Sequence, residues 1–183
     1  YHEDDLTHYV FARWSHFDAR YLLDVWGRPG FTVPYSWPAA IGSSQDGWQA
    51  CRAFSAILSA ATAWLAFRIA RRLGIRHAWA VIPLLYLQPL FARLSLTTLT
   101  ETPLAFYFAL ATWLLLSGRT EWSAAVMALA PVTREEAVIM LPIWAVALWL
   151  RGGRWWAYPL LLWAVGLHNL ASGLCLGTWP VLR

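Results

Sequence analysis

The sequence predicts an all-α fold: a polytopic transmembrane helical bundle with an amphipathic juxtamembrane helix in its first extracytoplasmic loop. Three observations lead there. Hydrophobic residues make up 59% of the 183 residues and charged residues only 13%, about half the charge of an ordinary globular domain. The chain carries 14 Trp, a side chain that favours the bilayer interface because its ring sits among headgroups while its N–H finds a polar partner. The sparse charges stand at the ends and apices of apolar runs.

Residues 1–47 are the least apolar part. The acidic cluster His2-Glu3-Asp4-Asp5 precedes Val10, Trp14, Phe17, Tyr21 and Val25, which recur at three- and four-residue intervals with Arg13, His16, Arg20 and Asp24 between them. That is the pattern of an amphipathic helix, and its aromatic content places it on a membrane surface. Gly27-Arg28-Pro29-Gly30 ends it, and Pro34 and Pro38 predict irregular chain up to about Gly47.

Residues 48–183 read as a transmembrane region of about six membrane helices, some short, in a single membrane domain. Trp48 to Phe67 is the first clear span, closed by Arg68, Arg71, Arg72 and Arg76. Ala78 to Ala92 is apolar, and a polar interruption from Arg93 through Thr97, Thr98, Thr100, Glu101, Thr102 and Pro103 follows it. Leu104 to Leu116 ends at Arg119. Trp122 to Val132 and Ala137 to Leu150 flank Thr133-Arg134-Glu135-Glu136, and Trp155 starts a last helix that can run past His168 and Asn169. Several of these runs are shorter than the roughly 20 residues that cross a bilayer. The chain starts at Tyr1 without Met and stops at Arg183 after an apolar run, so a fragment truncated at both ends is expected.

Each hairpin leaves one arginine cluster and returns to another, so its two ends lie on one side. The positive-inside rule puts Arg68, Arg71, Arg72, Arg76, Arg119, Arg151 and Arg154 in the cytoplasm. The acidic N-terminal segment and the apices at 97–102 and 133–136 then converge on the extracytoplasmic face, where Asp4/Asp5, Glu101 and Arg134 are expected to line one cavity. The arms of the second hairpin reach only about 16–21 Å at 1.5 Å per residue, so Arg134 and Glu135 are expected below the membrane surface, in a protein-lined, water-accessible cavity.

Each polar group has more than one role open to it. Asp4 or Asp5 can take the proton of an attacking hydroxyl, or cap a helix N-terminus. Glu101 can bind sugar hydroxyls in the cavity or orient the base, or stand exposed beside a helix capped by Thr102. Arg134 can grip a phosphate through paired N–H bonds, or form an ion pair with Glu101, Glu135 or Glu136. His2, Glu3, Asp4, Asp5 and His8 are suitable metal ligands, but their spacing matches no metal motif; a solvated loop is the better reading, and no metal is assigned, with a divalent ion the minor alternative. Cys51 and Cys175 form neither a disulfide framework nor a metal pair. The net charge of +4 comes entirely from arginine placed at the ends of apolar runs, which fits membrane topology and excludes a nucleic-acid stripe. GxGxxG and GxxxxGK[ST] are absent, so neither nucleotide-sugar binding in a Rossmann-like domain nor ATPase chemistry is expected.

Three stretches resemble the GT-C superfamily of integral-membrane glycosyltransferases, which includes protein O-mannosyltransferase-like and aminoarabinose-transferase-like enzymes. His2-Glu3-Asp4-Asp5 with Tyr9 and Arg13 looks like the acidic motif of their first extracytoplasmic loop. Arg28-Pro29-Gly30-Phe31 through Pro38 and Gly42 looks like the loop leading to the second transmembrane helix. Thr100-Glu101-Thr102-Pro103-Leu104 and Thr133-Arg134-Glu135 look like motifs at later extracytoplasmic turns. The resemblance implies a polyprenyl-phosphate-linked sugar donor and a lipid, glycan or protein acceptor meeting at the outer face, with inversion at the anomeric carbon. Asp5 or Asp4 would be the base and Arg134 the donor-phosphate ligand; Glu101, Glu135 and His8 would line the substrate cavity. No cofactor is implied. The bacterial inner (plasma) membrane is the favoured location, with the ER membrane the alternative. A transporter or flippase for a lipid or small solute is the other function class, and a non-catalytic membrane scaffold the third.

Overall fold

The computed structural model describes residues 3–24 and 26–180, and its regular elements are all helical among them. His2, Val25 and the side chain of Glu3, all invoked above, lie outside the described residues.

The predicted amphipathic helix is two helices, α1 (Glu3–Trp14) and α2 (Arg20–Leu23). Arg13, which falls between the apolar positions of the predicted helix, bonds to backbone inside the fold. Its guanidinium donates to the carbonyls of Ala39 at 2.6 Å and Gly42 at 3.0 Å, satisfying orphan acceptors at the end of the next helix. That next helix corrects a second expectation. The stretch predicted to be irregular holds α3 (Pro29–Ala39), with Pro29 in its first turn and Pro34 and Pro38 inside it. Pro34 has no N–H to give the carbonyl of Gly30, four residues back. The hydroxyl of Tyr107 bonds that carbonyl instead, at 2.7 Å, so tertiary packing supplies what the sequence removes. Tyr9, Ala12, Phe31, Tyr35, Ala39 and Cys51 form the core between α1, α3 and the helix that follows.

α4 (Ser44–Arg72) opens with a capping box in which Ser43 and Asp46 exchange side-chain and backbone bonds. Its 29 residues make it roughly 43 Å long, and among the described residues it is the one helix long and apolar enough to cross a membrane. The other apolar runs form shorter helices, the longest of them the 16-residue Glu101–Leu116. The apolar stretch from residue 78 is a short 3₁₀ turn followed by α5 (Val81–Tyr86) and α6 (Pro89–Leu94), broken where Gln88 precedes Pro89. α7 (Glu101–Leu116) lies along α4, and α8 (Thr120–Met127) packs against α7. A turn and a 3₁₀ segment (Glu135–Ile139) lead to α9 (Met140–Leu150), α10 (Ala157–Leu160) and α11 (Trp163–Leu176). A second core centred on Met127, Leu141, Trp144 and Leu148 holds α7 to α10 together.

The polar contacts sort the helix ends into two groups. At one end Arg72 at the close of α4 donates to Ser117 after α7 at 3.1 Å, Arg68 stacks on Trp113, and Arg154 pairs with Glu121 in the first turn of α8. At the other end the 95–100 turn is fastened to α4. Ser55 donates to the Thr97 carbonyl at 2.6 Å and Arg52 to the Leu96 carbonyl at 2.9 Å.

Candidate active site

α1 enters with its acidic turn against that second end. Asp5 is 7% exposed. Its Oδ1 accepts the backbone N–H of Thr98 at 2.5 Å and also the Thr98 hydroxyl, which lies in addition 2.7 Å from the Asp5 carbonyl. Oδ2 has no hydrogen-bond partner among the described residues, and the carboxylate opens onto a cavity of about 260 Å³ lined also by Trp48, Arg52 and Arg93. Asp4, its neighbour, is exposed. Both fall within the first turn of α1.

One turn further along α1, His8 is 3% exposed and packs its ring on Phe31, 5.3 Å between centroids. Burial first, and then the Arg28 guanidinium, push its pKa down to about 4, with Asp4, Glu101 and Asp5 pulling the other way. The ring is neutral at neutral pH. Arg28 stands at the head of α3 with φ +40°, a left-handed conformation for a residue with a Cβ, a local strain of the kind that concentrates at functional sites. Its guanidinium lies 5.4 Å from the Trp26 ring centroid.

Arg134 arrives in extended conformation ahead of the 3₁₀ segment. One terminal nitrogen forms a close ion pair with Glu101 Oε1. Nε and the other terminal nitrogen have only long contacts to Glu136, at 3.4 and 3.5 Å. Of the ion-pair partners open to Arg134, the structure supplies Glu101 and Glu136; Glu135 is exposed and is not paired with it. The helix begins at Glu101, and the Thr102 hydroxyl bonds the Leu94 carbonyl at 2.9 Å instead of capping it.

Among the described residues, His8 Nδ1, Arg28 Nε and Glu101 Oε2 are buried polar atoms without a hydrogen-bond partner. Buried polar atoms are nearly always paired in native folds, so three within one electrostatic neighbourhood make this end the candidate site. The predicted residues are thus brought to one end, but they do not share one cavity. Glu101 borders a second cavity of about 130 Å³, separated from that of Asp5 by Leu94, which lines both. No group of three His, Cys, Asp or Glu side chains is arranged to hold a metal ion among the described residues. The sequence assigns no site role of its own to Arg28 or Thr98. The one signal at Arg28 is a charge immediately before Pro-Gly; Thr98 is one of four threonines in its turn.

The sequence profile of dolichyl-phosphate-mannose-protein mannosyltransferases matches residues 36–176, more than three quarters of the chain. The chain belongs to that family. Glu101 and Arg134 lie inside the match, whereas the acidic turn of α1, His8 and Arg28 precede it. No curated protein and no solved structure matches. The mannosyltransferase family is GT-C type, the superfamily that the sequence resembles, and the Thr-Glu-Thr-Pro and Thr-Arg-Glu stretches fall within the matched residues.

Proposed function

We propose that this chain belongs to a membrane-integral glycosyltransferase that moves a sugar from a polyprenyl-phosphate carrier to a hydroxyl acceptor at the extracytoplasmic face, with inversion. The observation that carries the proposal is the placement of an open carboxylate oxygen on Asp5 at the same end of the helices as the unpartnered atoms of His8, Arg28 and Glu101 and the Glu101–Arg134 ion pair. The arginine-rich end is the cytoplasmic one. The bacterial plasma membrane is the favoured setting and the ER membrane the alternative.

In this reading Thr98 holds Oδ1 so that Oδ2 of Asp5 receives the acceptor proton. The acceptor oxygen attacks the anomeric carbon as the bond from that carbon to the carrier phosphate breaks, and the bonding pair stays on the phosphate oxygen. Arg134 stabilises that charge. Glu101 fixes the guanidinium by its close ion pair. The donors that face Glu136 are loosely held, so a phosphate displaces Glu136 and leaves Glu101 in place. Arg28 supplies a second cation. A neutral His8 keeps the pocket from gaining positive charge that would weaken Asp5 as a base. No metal or cofactor takes part in these steps.

Sugar transfer from a polyprenyl-phosphate-linked donor by the full-length protein tests the phosphate assignment. Arg134→Gln is expected to lower kcat/KM by about 10²- to 10³-fold, the range found when one stabilising donor is removed, and to weaken inhibition by the bare polyprenyl phosphate. Unchanged inhibition in a folded variant would sink the assignment.

A further inference from the structure

We infer that the 260 Å³ cavity in front of Asp5 is an acceptor site for amphiphiles that carry an anionic group beside the reacting hydroxyl. The inference rests on the reading of Asp5 as the base and names the substrate class that reading leaves open. Besides Asp5, the charged side chains that line the cavity are Arg52 from α4 and Arg93 from α6. Neither is paired with a carboxylate among the described residues. Arg52 gives its Nε to the Leu96 carbonyl at 2.9 Å and has a long contact of 3.4 Å to Gln49. Arg93 is exposed, with no ion pair among the described residues. Asp5, the one acid, has its Oδ1 committed to Thr98. The lining thus carries two cations against one anion. Apart from Thr97, the remaining walls are apolar, from Trp48, Leu90, Leu94, Leu96 and Leu99.

A neutral hydroxyl needs only Asp5. Two unpaired guanidiniums beside a leucine wall match a phosphate or carboxylate on a molecule whose other part is a hydrocarbon chain. A hydroxyl within about 3 Å of Oδ2 and an anion at Arg52 and Arg93 must then fit one cavity of 260 Å³. That volume has room for a phosphoglycerol- or phosphosugar-sized head, and the cavity is open on one side for the hydrocarbon chain to leave. The donor phosphate has its own cation in Arg134, which pairs with Glu101 beyond the Leu94 partition. The Ser or Thr side chain of a protein acceptor brings a hydroxyl but no anion.

Binding is measured on the full-length protein in phosphatidylcholine nanodiscs with three probes: lysophosphatidylglycerol, the neutral monoacylglycerol of equal chain length, and polyprenyl phosphate. The wild type is expected to bind lysophosphatidylglycerol at least ten-fold more tightly than monoacylglycerol. Arg93→Gln, at an exposed position without structural partners, is expected to erase most of that preference and leave the other two affinities within two-fold; Arg52→Gln is expected to act in the same direction. No preference in the wild type, or a preference that survives both variants, overturns the inference. So does an equal loss of polyprenyl phosphate binding, which would make the cavity the donor's. A selective preference in a protein that retains full transfer as Asp5→Asn would instead leave the cavity standing and remove the base.

Discussion

Asp4 and Asp5 are neighbours in sequence and opposites in surroundings. A side chain on α1 points about 100° away from the one before it, so only one of an adjacent pair can face the Thr98 turn. Asp5 does, and Asp4 looks outward. This distinction was not legible in the sequence, because it depends on which face of α1 meets a turn 93 residues away. The presence of an acidic pair in front of an aromatic helix was legible. His8 follows the same logic one turn on, and its burial makes a prediction at this scale. Its pKa falls from 6.5 to about 4 on folding. The unfolded chain therefore takes up the proton first, so stability is complete above pH 6.5 and is lost as pH falls from there to about 4. The loss at the lower end is on the order of a few kcal/mol. Melting temperature between pH 7.5 and 5 reads it above the ordinary carboxylate range: the decline expected in the wild type should flatten in His8→Gln. Equal slopes in the two proteins would remove His8 as its source.

At the scale of elements, α3 shows why two prolines mislead. The sequence predicts irregular chain because Pro34 cannot pair with the Gly30 carbonyl. The helix forms because Tyr107, far along on α7, takes over that acceptor, while the Gly30 N–H donates to the Val132 carbonyl at 3.1 Å. The head of α3 is thereby stitched both to α7 and to the turn that carries Arg134. Gly30 is the position where this depends on having no side chain. A Cβ there would overlap the Thr133 hydroxyl and stand 2.8 Å from the Leu129 carbonyl oxygen. Gly30→Ala should cost about 1–3 kcal/mol by overpacking and displace Arg28 and Arg134 together. Thermal unfolding reads the first effect and polyprenyl phosphate binding the second. A Gly30→Ala protein as stable as the wild type would show that this junction yields freely. The stretch from 78 to 94 carries the opposite lesson: most of it is apolar, as one span would be, but Gln88-Pro89 interrupts the backbone ladder, and the result is α5 and α6.

For the whole molecule, grouping the charges by end was more legible than counting helices. The runs are apolar enough to show that a hairpin leaves and returns, and the Arg72–Ser117 and Arg154–Glu121 contacts gather those ends. Helix lengths were legible for the runs that became α4 and α7 but not where a proline break or a 3₁₀ turn intervenes, as between 78 and 94 and between 133 and 140. The same grouping brings Asp5, His8, Glu101 and Arg134 to the opposite end, yet it did not reveal the Leu94 partition between two cavities. That partition gives the proposed chemistry its form, with base and acceptor on one side and donor phosphate on the other. The most direct test is sugar transfer from a polyprenyl-phosphate-linked donor by the full-length wild type, Asp4→Asn and Asp5→Asn, each confirmed to be folded. The account predicts a loss of about 10²- to 10⁴-fold in kcat for Asp5→Asn, the usual contribution of a general base, and activity within a few-fold of wild type for Asp4→Asn. Full activity in Asp5→Asn, or the loss falling on Asp4→Asn, would contradict it.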